Sequence, residues 1–291
     1  MKARYINPYT DFGFKKLFGE EGSKNLLIDF LNHLLPGEHK IVNLTFKNTE
    51  QLGVNTTDRK AIFDIHCENE KGNRFIVEMQ KAKLKFFKDR SLFYTTFPIK
   101  EQAEKGDWDF RLAPIYCVAI LDFTFDEDRP QKEYISNVQL KDQFCQVFYN
   151  KLTYIFIEMP RFKKEEHTLE THFDKWLYFL KNLETFENIP EILNEEVFLQ
   201  GFEIAEIANF DEKQMAEYEE SLKVYRDLKG VIDTSFEEGK TEGKIVGKIE
   251  GKIEGKIEGK IEIARDMKKF GEPIDKISKF TGLSAEEIDK L

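Results

Sequence analysis

Between Lys60 and Gln80 the chain twice alternates apolar and polar side chains, in KAIFDIHC and in RFIVEMQ, with the polar run ENEKGN between them. Alternation at period two is the pattern of β-strands, whose successive side chains point to opposite faces. The two segments therefore read as a hairpin. Ile62, Asp64 and His66 share one face of its first strand, opposite Phe63, Ile65 and Cys67. In the second strand Ile76, Glu78 and Gln80 lie on one face, and Phe75, Val77 and Met79 on the other. A loop at Glu70-Lys71-Gly72, with glycine in the left-handed position, sets the register. It brings Asn69 opposite Asn73, Asp64 opposite Glu78 and Ile62 opposite Gln80.

Helical spacing precedes the hairpin. Phe14, Leu17 and Phe18 predict a short helix capped by Thr10 or Asp11, and Asp11 is alternatively an active-site acid. Ser23 to Leu35 predicts an amphipathic helix with Leu26, Leu27, Phe30, Leu31 and Leu34 inward, stopped by Pro36-Gly37. Ile41 to Phe46 alternates as a strand, and Gln51 to Arg59 reads as a polar loop. After the hairpin, Leu92, Phe93, Thr96, Ile99 and Ala103 predict a helix that ends at Gly106 and is kinked or split at Pro98. Pro114 to Leu121 is a near-continuous apolar run, as in a strand covered on both faces. Tyr134 to Phe148 supplies a further strand or two, and Leu152 to Met159 another, stopped by Pro160. The pattern predicts an α/β class, a mixed sheet flanked by helices, over residues 1–165.

From Glu166 onward strand signals vanish, and residues 166–235 read as a helical appendage. Residues 236–262 carry a G-K-I-E repeat with glycine at 239, 243, 247, 251, 255 and 259. Lysines neighbour lysines and glutamates neighbour glutamates at i,i+4, so no ladder of opposite charges forms. Each glycine costs about 1 kcal/mol of helix propensity. A stable isolated helix is not expected; the segment is a tandemly duplicated linker or a helix packed against a partner. Residues 263–291 predict a small helical tail. Ile274, Ile277 and Phe280 face inward in one helix, and Ser284 to Glu287 forms a capping box for the last. Few bases lie in that last helix, so a hairpin mediating assembly is favoured over DNA reading.

Composition narrows the classes. A net charge of −10 and a pI near 5.3 argue against nonspecific coating of nucleic acid. The exception is local: Lys81 to Arg90 carries five bases and one acid. Lys81, Lys83, Lys85 and Arg90 are either a solvated helix face or contacts to phosphate. Cys67, Cys117 and Cys145 lack CxxC spacing and sit in apolar segments, which suits reduced, buried thiols in a cytoplasmic protein. No apolar run follows Met1-Lys2, so no secretory signal is expected, and Ala113 to Leu121 is too short to span a bilayer.

Two carboxylates opposed across a strand pair repel each other. A hard divalent cation bound by both Asp64 and Glu78 would offset that. His66 shares the face but reads as a surface or packing residue. An Asp, thirteen intervening residues and then Glu-x-Gln is a weak pattern alone, and more specific on a hairpin with a shared face and a basic segment behind it.

Together with Thr10-Asp11-Phe12-Gly13-Phe14-Lys15-Lys16-Leu17-Phe18, with Arg90-Ser91-Leu92-Phe93-Tyr94, and with Gln102 and Gly106, that pattern resembles the PD-(D/E)XK nuclease family transposases. The resemblance covers roughly residues 5–160 closely, and the repeat and tail are similar to those of the same group. It implies a restriction-endonuclease-like fold, with Asp64 as the metal-binding aspartate, Glu78 as the second acid and Gln80 where a lysine usually stands. Asp11 matches a recurrent N-terminal acid. The implied activity is DNA cleavage in recombination or transposition, RNA not being excluded. The implied cofactor is Mg²⁺ or Mn²⁺, held by Asp64, Glu78 and the Met79 carbonyl. Glutamine brings no positive charge, so Lys81 or Lys83 would supply it. Two other readings stand beside this one. The domain is a catalytically weak nucleic-acid-binding protein, or it is an assembly module that forms homo-oligomers through the repeat and tail.

Overall fold

The computed structural model describes residues 3–35, 40–51, 61–103, 109–124 and 133–291. Pro36-Gly37, the loop expected up to Arg59 beyond Gln51, Lys60 and Gly106 lie outside them. Each long apolar pattern becomes an element. Helices α1 (Asp11–Phe18) and α2 (Lys24–Leu34) come first, then the short strands β1 (Leu44–Phe46), β2 (Glu50–Gln51) and β3 (Ala61–Ile62). The hairpin strands are β4 (Ile65–Asn69) and β5 (Arg74–Gln80), followed by α3 (Phe87–Lys100), β6 (Ile115–Leu121), β7 (Ile135–Lys141) and β8 (Val147–Glu158). Helices α4 (His172–Asn182), α5 (Glu196–Ala205), α6 (Glu212–Lys269), α7 (Ile274–Thr281) and α8 (Ala285–Asp289) complete the chain.

Six strands form one mixed sheet in the order β1-β4-β5-β6-β8-β7. β5, β6 and β8 run parallel, while β1, β4 and β7 pair antiparallel with their neighbours. β6 sits in the interior of the sheet with every residue buried, as its unbroken apolar run requires. One face, through Ile65, Cys67, Phe75, Val77 and Met79, packs with α1, α2, α4 and α5 in a large core that includes Trp176. The other face, through Ile76, Cys117, Ala119 and Phe156, packs with Phe63 and Phe87. Residues from Phe173 to Tyr225 thus share a core with the sheet. The chain divides into two compact units, Met1–Leu228 and Lys229–Leu291.

The hairpin register is as expected. Gly72 adopts φ +80°, and Ile65 pairs with Val77, His66 with Ile76 and Cys67 with Phe75. The first strand, however, is not continuous. The chain breaks at Phe63-Asp64, and Ile62 pairs with Glu50 on β2 instead of reaching Gln80. Phe63 crosses to the His66 face, its ring 5.4 Å from the imidazole, and Ile62 turns outward. A bend at the acid resets the alternation.

Other faces differ from the pattern. α3 buries Phe87, Ser91, Thr95 and Pro98 and exposes Leu92 and Phe93. Its apolar residues surround the helix, so spacing alone selects no face. Pro98 lies in its last turn, and the helix ends at Lys100. β1 is shorter than the predicted strand. Cys145 is exposed at φ +61° between β7 and β8, while Cys67 and Cys117 are buried as expected. Phe280 points outward, its place on the inner face taken by Thr281.

The repeat lies within the second unit and is helical throughout as part of α6. A Cβ added at any of its glycines would meet nothing within 4 Å, and Ile245, Ile249, Ile253 and Ile257 are about half exposed. Propagating an existing helix is far easier than nucleating one, and α6 continues into Ala264, which packs with Ile277 and Ile288. The expected capping box forms at Ser284, whose N–H donates to Glu287 and whose hydroxyl accepts from the Glu287 N–H.

Candidate active site

The turn of chain between β3 and β4 places Asp64 beside the C-terminal half of β5. Its backbone N–H donates to Glu78 Oε1 at 3.2 Å, and its own Oδ2 accepts from the Met79 N–H at 2.7 Å. These two bonds are made across the expected Asp64–Glu78 opposition and hold both side chains at one place on the sheet. Gln80, two residues beyond Glu78 and on the same face, donates its amide to Glu78 Oε2 at 3.0 Å. Both oxygens of Glu78 are thereby fixed.

Glu78 and Gln80 are buried, and Asp64 is mostly so. Burial raises the pKa of Glu78, and the neighbouring Asp64 charge raises it further, against the Arg90 charge and the Gln80 hydrogen bond, which lower it. Burial likewise raises Asp64, opposed by the Met79 N–H and the lysines at 15 and 81. Two buried carboxylates that resist ionisation side by side are suited to a divalent cation, which supplies the missing countercharge. The donor set is all oxygen, the preference of Mg²⁺ or Mn²⁺.

Asp11 is an exposed residue in the first turn of α1, where Thr10 makes the cap through the Gly13 N–H. It pairs with Lys15 at 3.0 Å. Its charge still reaches the site, raising the pKa of Asp64. Asp11, Lys15 and Lys81 line one cleft of about 520 Å³ with Glu217 and Glu220 of α6. Burial lowers the pKa of Lys81, while the nearby carboxylates of Asp11 and Asp64 raise it. Of the other bases, Lys83 and Lys85 are exposed. Arg90 is half-buried, stacks over Tyr94 with its guanidinium 4.8 Å from the ring centre, and acts on Glu78. It belongs with the carboxylates more than with an outer basic strip. His66 is buried with Nδ1 facing the Asn48 carbonyl, and it packs there as expected.

Lys15 joins the site without having been singled out by the sequence pattern, although its spacing of four from Asp11 is a signal for an ion pair on one helix face.

The raised carboxyl pKa has a measurable consequence. Between the ordinary carboxylate range and the raised value, the folded chain binds more protons at Glu78 than the unfolded chain does. Stability from this group is therefore full below the ordinary carboxylate range and lost as pH climbs to about 8. In metal-free buffer Glu78→Gln is expected to raise the thermal midpoint near pH 8 by roughly 5 °C, about 1–2 kcal/mol, and to change it little near pH 5. The Gln80 amide can turn over to meet the new amide. Calorimetry at the two pH values checks this, and equal shifts at both would refute it.

The chain matches the family model described as PD-(D/E)XK nuclease family transposase over residues 8–235. No curated protein and no solved structure matches it.

Proposed function

The chain belongs to the PD-(D/E)XK nuclease family transposases, and from that membership we propose that it is a metal-dependent endonuclease hydrolysing phosphodiester bonds of DNA in recombination or transposition. The observation that supports this reading most is the reciprocal pair, Asp64 N–H on Glu78 and Met79 N–H on Asp64, which holds two buried carboxylates together. Asp64, Glu78 and the Met79 carbonyl would hold Mg²⁺ or Mn²⁺. A divalent ion held there would supply a more acidic water and countercharge for the phosphate.

The protein's own side chains divide the remaining work. Gln80 orients Glu78 through its amide and brings no charge. Lys81, next in sequence and within the fields of Asp64 and Asp11, supplies the ammonium that a lysine at position 80 would otherwise carry. Arg90 favours the ionised form of Glu78, and the exposed Lys83 and Lys85 take the flanking phosphates. No helix of the described residues is long and apolar enough to cross a membrane.

The test is cleavage of supercoiled plasmid by EDTA-stripped protein as Mg²⁺ or Mn²⁺ is restored. Cleavage that returns with the metal supports the proposal. Salt-dependent DNA binding with no cleavage under either metal would sink it and leave a binding protein. Lys81→Met is expected to slow cleavage about 10- to 100-fold with DNA binding little changed. An unchanged rate removes Lys81 from its role.

A further inference from the structure

A second group of metal-ligating side chains stands apart in sequence from the carboxylate pair. Asp29 and His33 occupy one face of α2 at a spacing of four, and His172 opens α4. One ligand atom from each lies within 4.8 Å of the others. The imidazoles of His33 and His172 stack at 3.9 Å between centres. We infer that Asp29, His33 and His172 form a binding site for a borderline divalent cation such as Zn²⁺, separate from any ion held by Asp64 and Glu78.

The partners of the three side chains argue for ligation over a chance meeting of polar groups. Metal-binding imidazoles characteristically hand their second nitrogen to a carboxylate or carbonyl, which orients the ring and frees the other nitrogen for the ion. The His172 ring does so here, with Nε2 toward Asp29 and Nδ1 toward Glu195. His33 Nδ1 lies 2.8 Å from the Asp29 carbonyl oxygen, and His172 Nδ1 lies 3.1 Å from Glu195 Oε2. Glu195 is itself held by Lys175, and Asp29 Oδ2 accepts from the Trp176 indole N–H at 2.7 Å. Trp176 is wholly buried, so the aspartate is anchored to the core. Asp29 and His172 thus present oriented ligands, each backed by its own partner, and His33 Nδ1 stands 3.5 Å from the same Asp29 Oδ2.

Access and chemistry agree. His33, Asp29 and His172 keep between 23% and 40% of their side-chain surface open, and Asp29 and His172 line a cleft of about 660 Å³. Asp29 Oδ2 lies 2.7 Å from His172 Nε2, so a cation entering there exchanges the proton of that hydrogen bond for itself, as imidazole ligation requires. Two nitrogens and one carboxylate select Zn²⁺, Co²⁺ or Ni²⁺ over Mg²⁺.

The experiment uses the full chain carrying Asp64→Asn and Glu78→Gln, which removes the competing carboxylate pair. The protein is stripped with EDTA, dialysed, and titrated with Zn²⁺ by calorimetry and with Co²⁺ by visible absorption. One equivalent of Zn²⁺, a Co²⁺ d–d band, and a raised thermal midpoint with Zn²⁺ but not Mg²⁺ are expected. His33→Ala and His172→Ala should each weaken binding at least tenfold. His33 is partly exposed, so its variant retains the fold, which circular dichroism verifies. Absence of stoichiometric Zn²⁺ binding in the parent, or unweakened binding in both variants, would overturn the assignment.

Discussion

Asp64→Asn is expected to lower Mg²⁺-dependent DNA cleavage by about 10³-fold or more, with little change in thermal stability. Asparagine keeps an oxygen that can accept the Met79 N–H, so the 2.7 Å contact that ties Asp64 to β5 has a substitute. What disappears is the charge. A lost carboxylate at a cation site costs several kcal/mol of transition-state stabilisation, and about 4 kcal/mol corresponds to 10³ in rate. Removing the Asp64 charge also relieves Glu78, whose raised pKa owes its second-largest cause to that neighbour. Alanine is a poorer probe, because it also strands the Met79 N–H at a cost of about 1–3 kcal/mol. Rates from gel quantitation decide the matter: cleavage by the Asn variant at the parental rate would rule out Asp64 as a metal ligand.

The largest stability effect is expected at Gly13. The chain from Asn7 to Thr10 folds tightly over the first turn of α1, with both the Thr10 N–H and the Thr10 hydroxyl bonded to the Asn7 carbonyl. A Cβ at Gly13 would fall 2.2 Å from that carbonyl oxygen and 2.7 Å from Thr10 Oγ1. Neither atom is the far end of a flexible side chain. Asn7 is further fixed by the Tyr218 hydroxyl on its N–H and by Glu184 on its amide. Gly13→Ala is therefore expected to destabilise the chain by about 2–3 kcal/mol, although alanine gains about 1 kcal/mol in helix propensity. The thermal midpoint should fall by roughly 5–10 °C. Gly22→Ala is the control, since nothing lies within 4 Å of its added Cβ, and it should move the midpoint little. Equal midpoints for the two variants would show that the Asn7 turn yields cheaply.

The sheet and the acid pair were legible because their signals are local. Gly72 and the alternation on either side of it determine the pairing of β4 with β5, and Asp64 opposite Glu78 comes by counting. The unbroken apolar run of β6 announces a buried interior strand in the same way. The break at Phe63-Asp64 left no such mark, since every residue there suits a strand and the change of direction is set by pairing of Ile62 with Glu50. The inner face of α3 was illegible for the opposite reason, an excess of apolar candidates. Arg90 read as one base among five, and its stacking on Tyr94 depends on the helix phase that spacing left open. The cluster of Asp29, His33 and His172 joins residues more than a hundred positions apart, and no periodicity reports such a meeting.

The tetrapeptide repeat of α6 has a consequence for how this chain can vary. One added or deleted unit leaves every local sequence environment in the repeat unchanged. It nevertheless moves the C-terminal end of the helix by about 6 Å along its axis and about 40° around it, from the rise and turn per residue. Within the second unit, the cluster of Ala264, Ile277 and Ile288 is carried along by that step. Copy number is therefore a vernier: length grows in even increments while azimuth advances, and about nine units are needed to restore the original bearing. Variants that differ by whole repeats would keep every local environment of the second unit and differ in the length and azimuth of its helix.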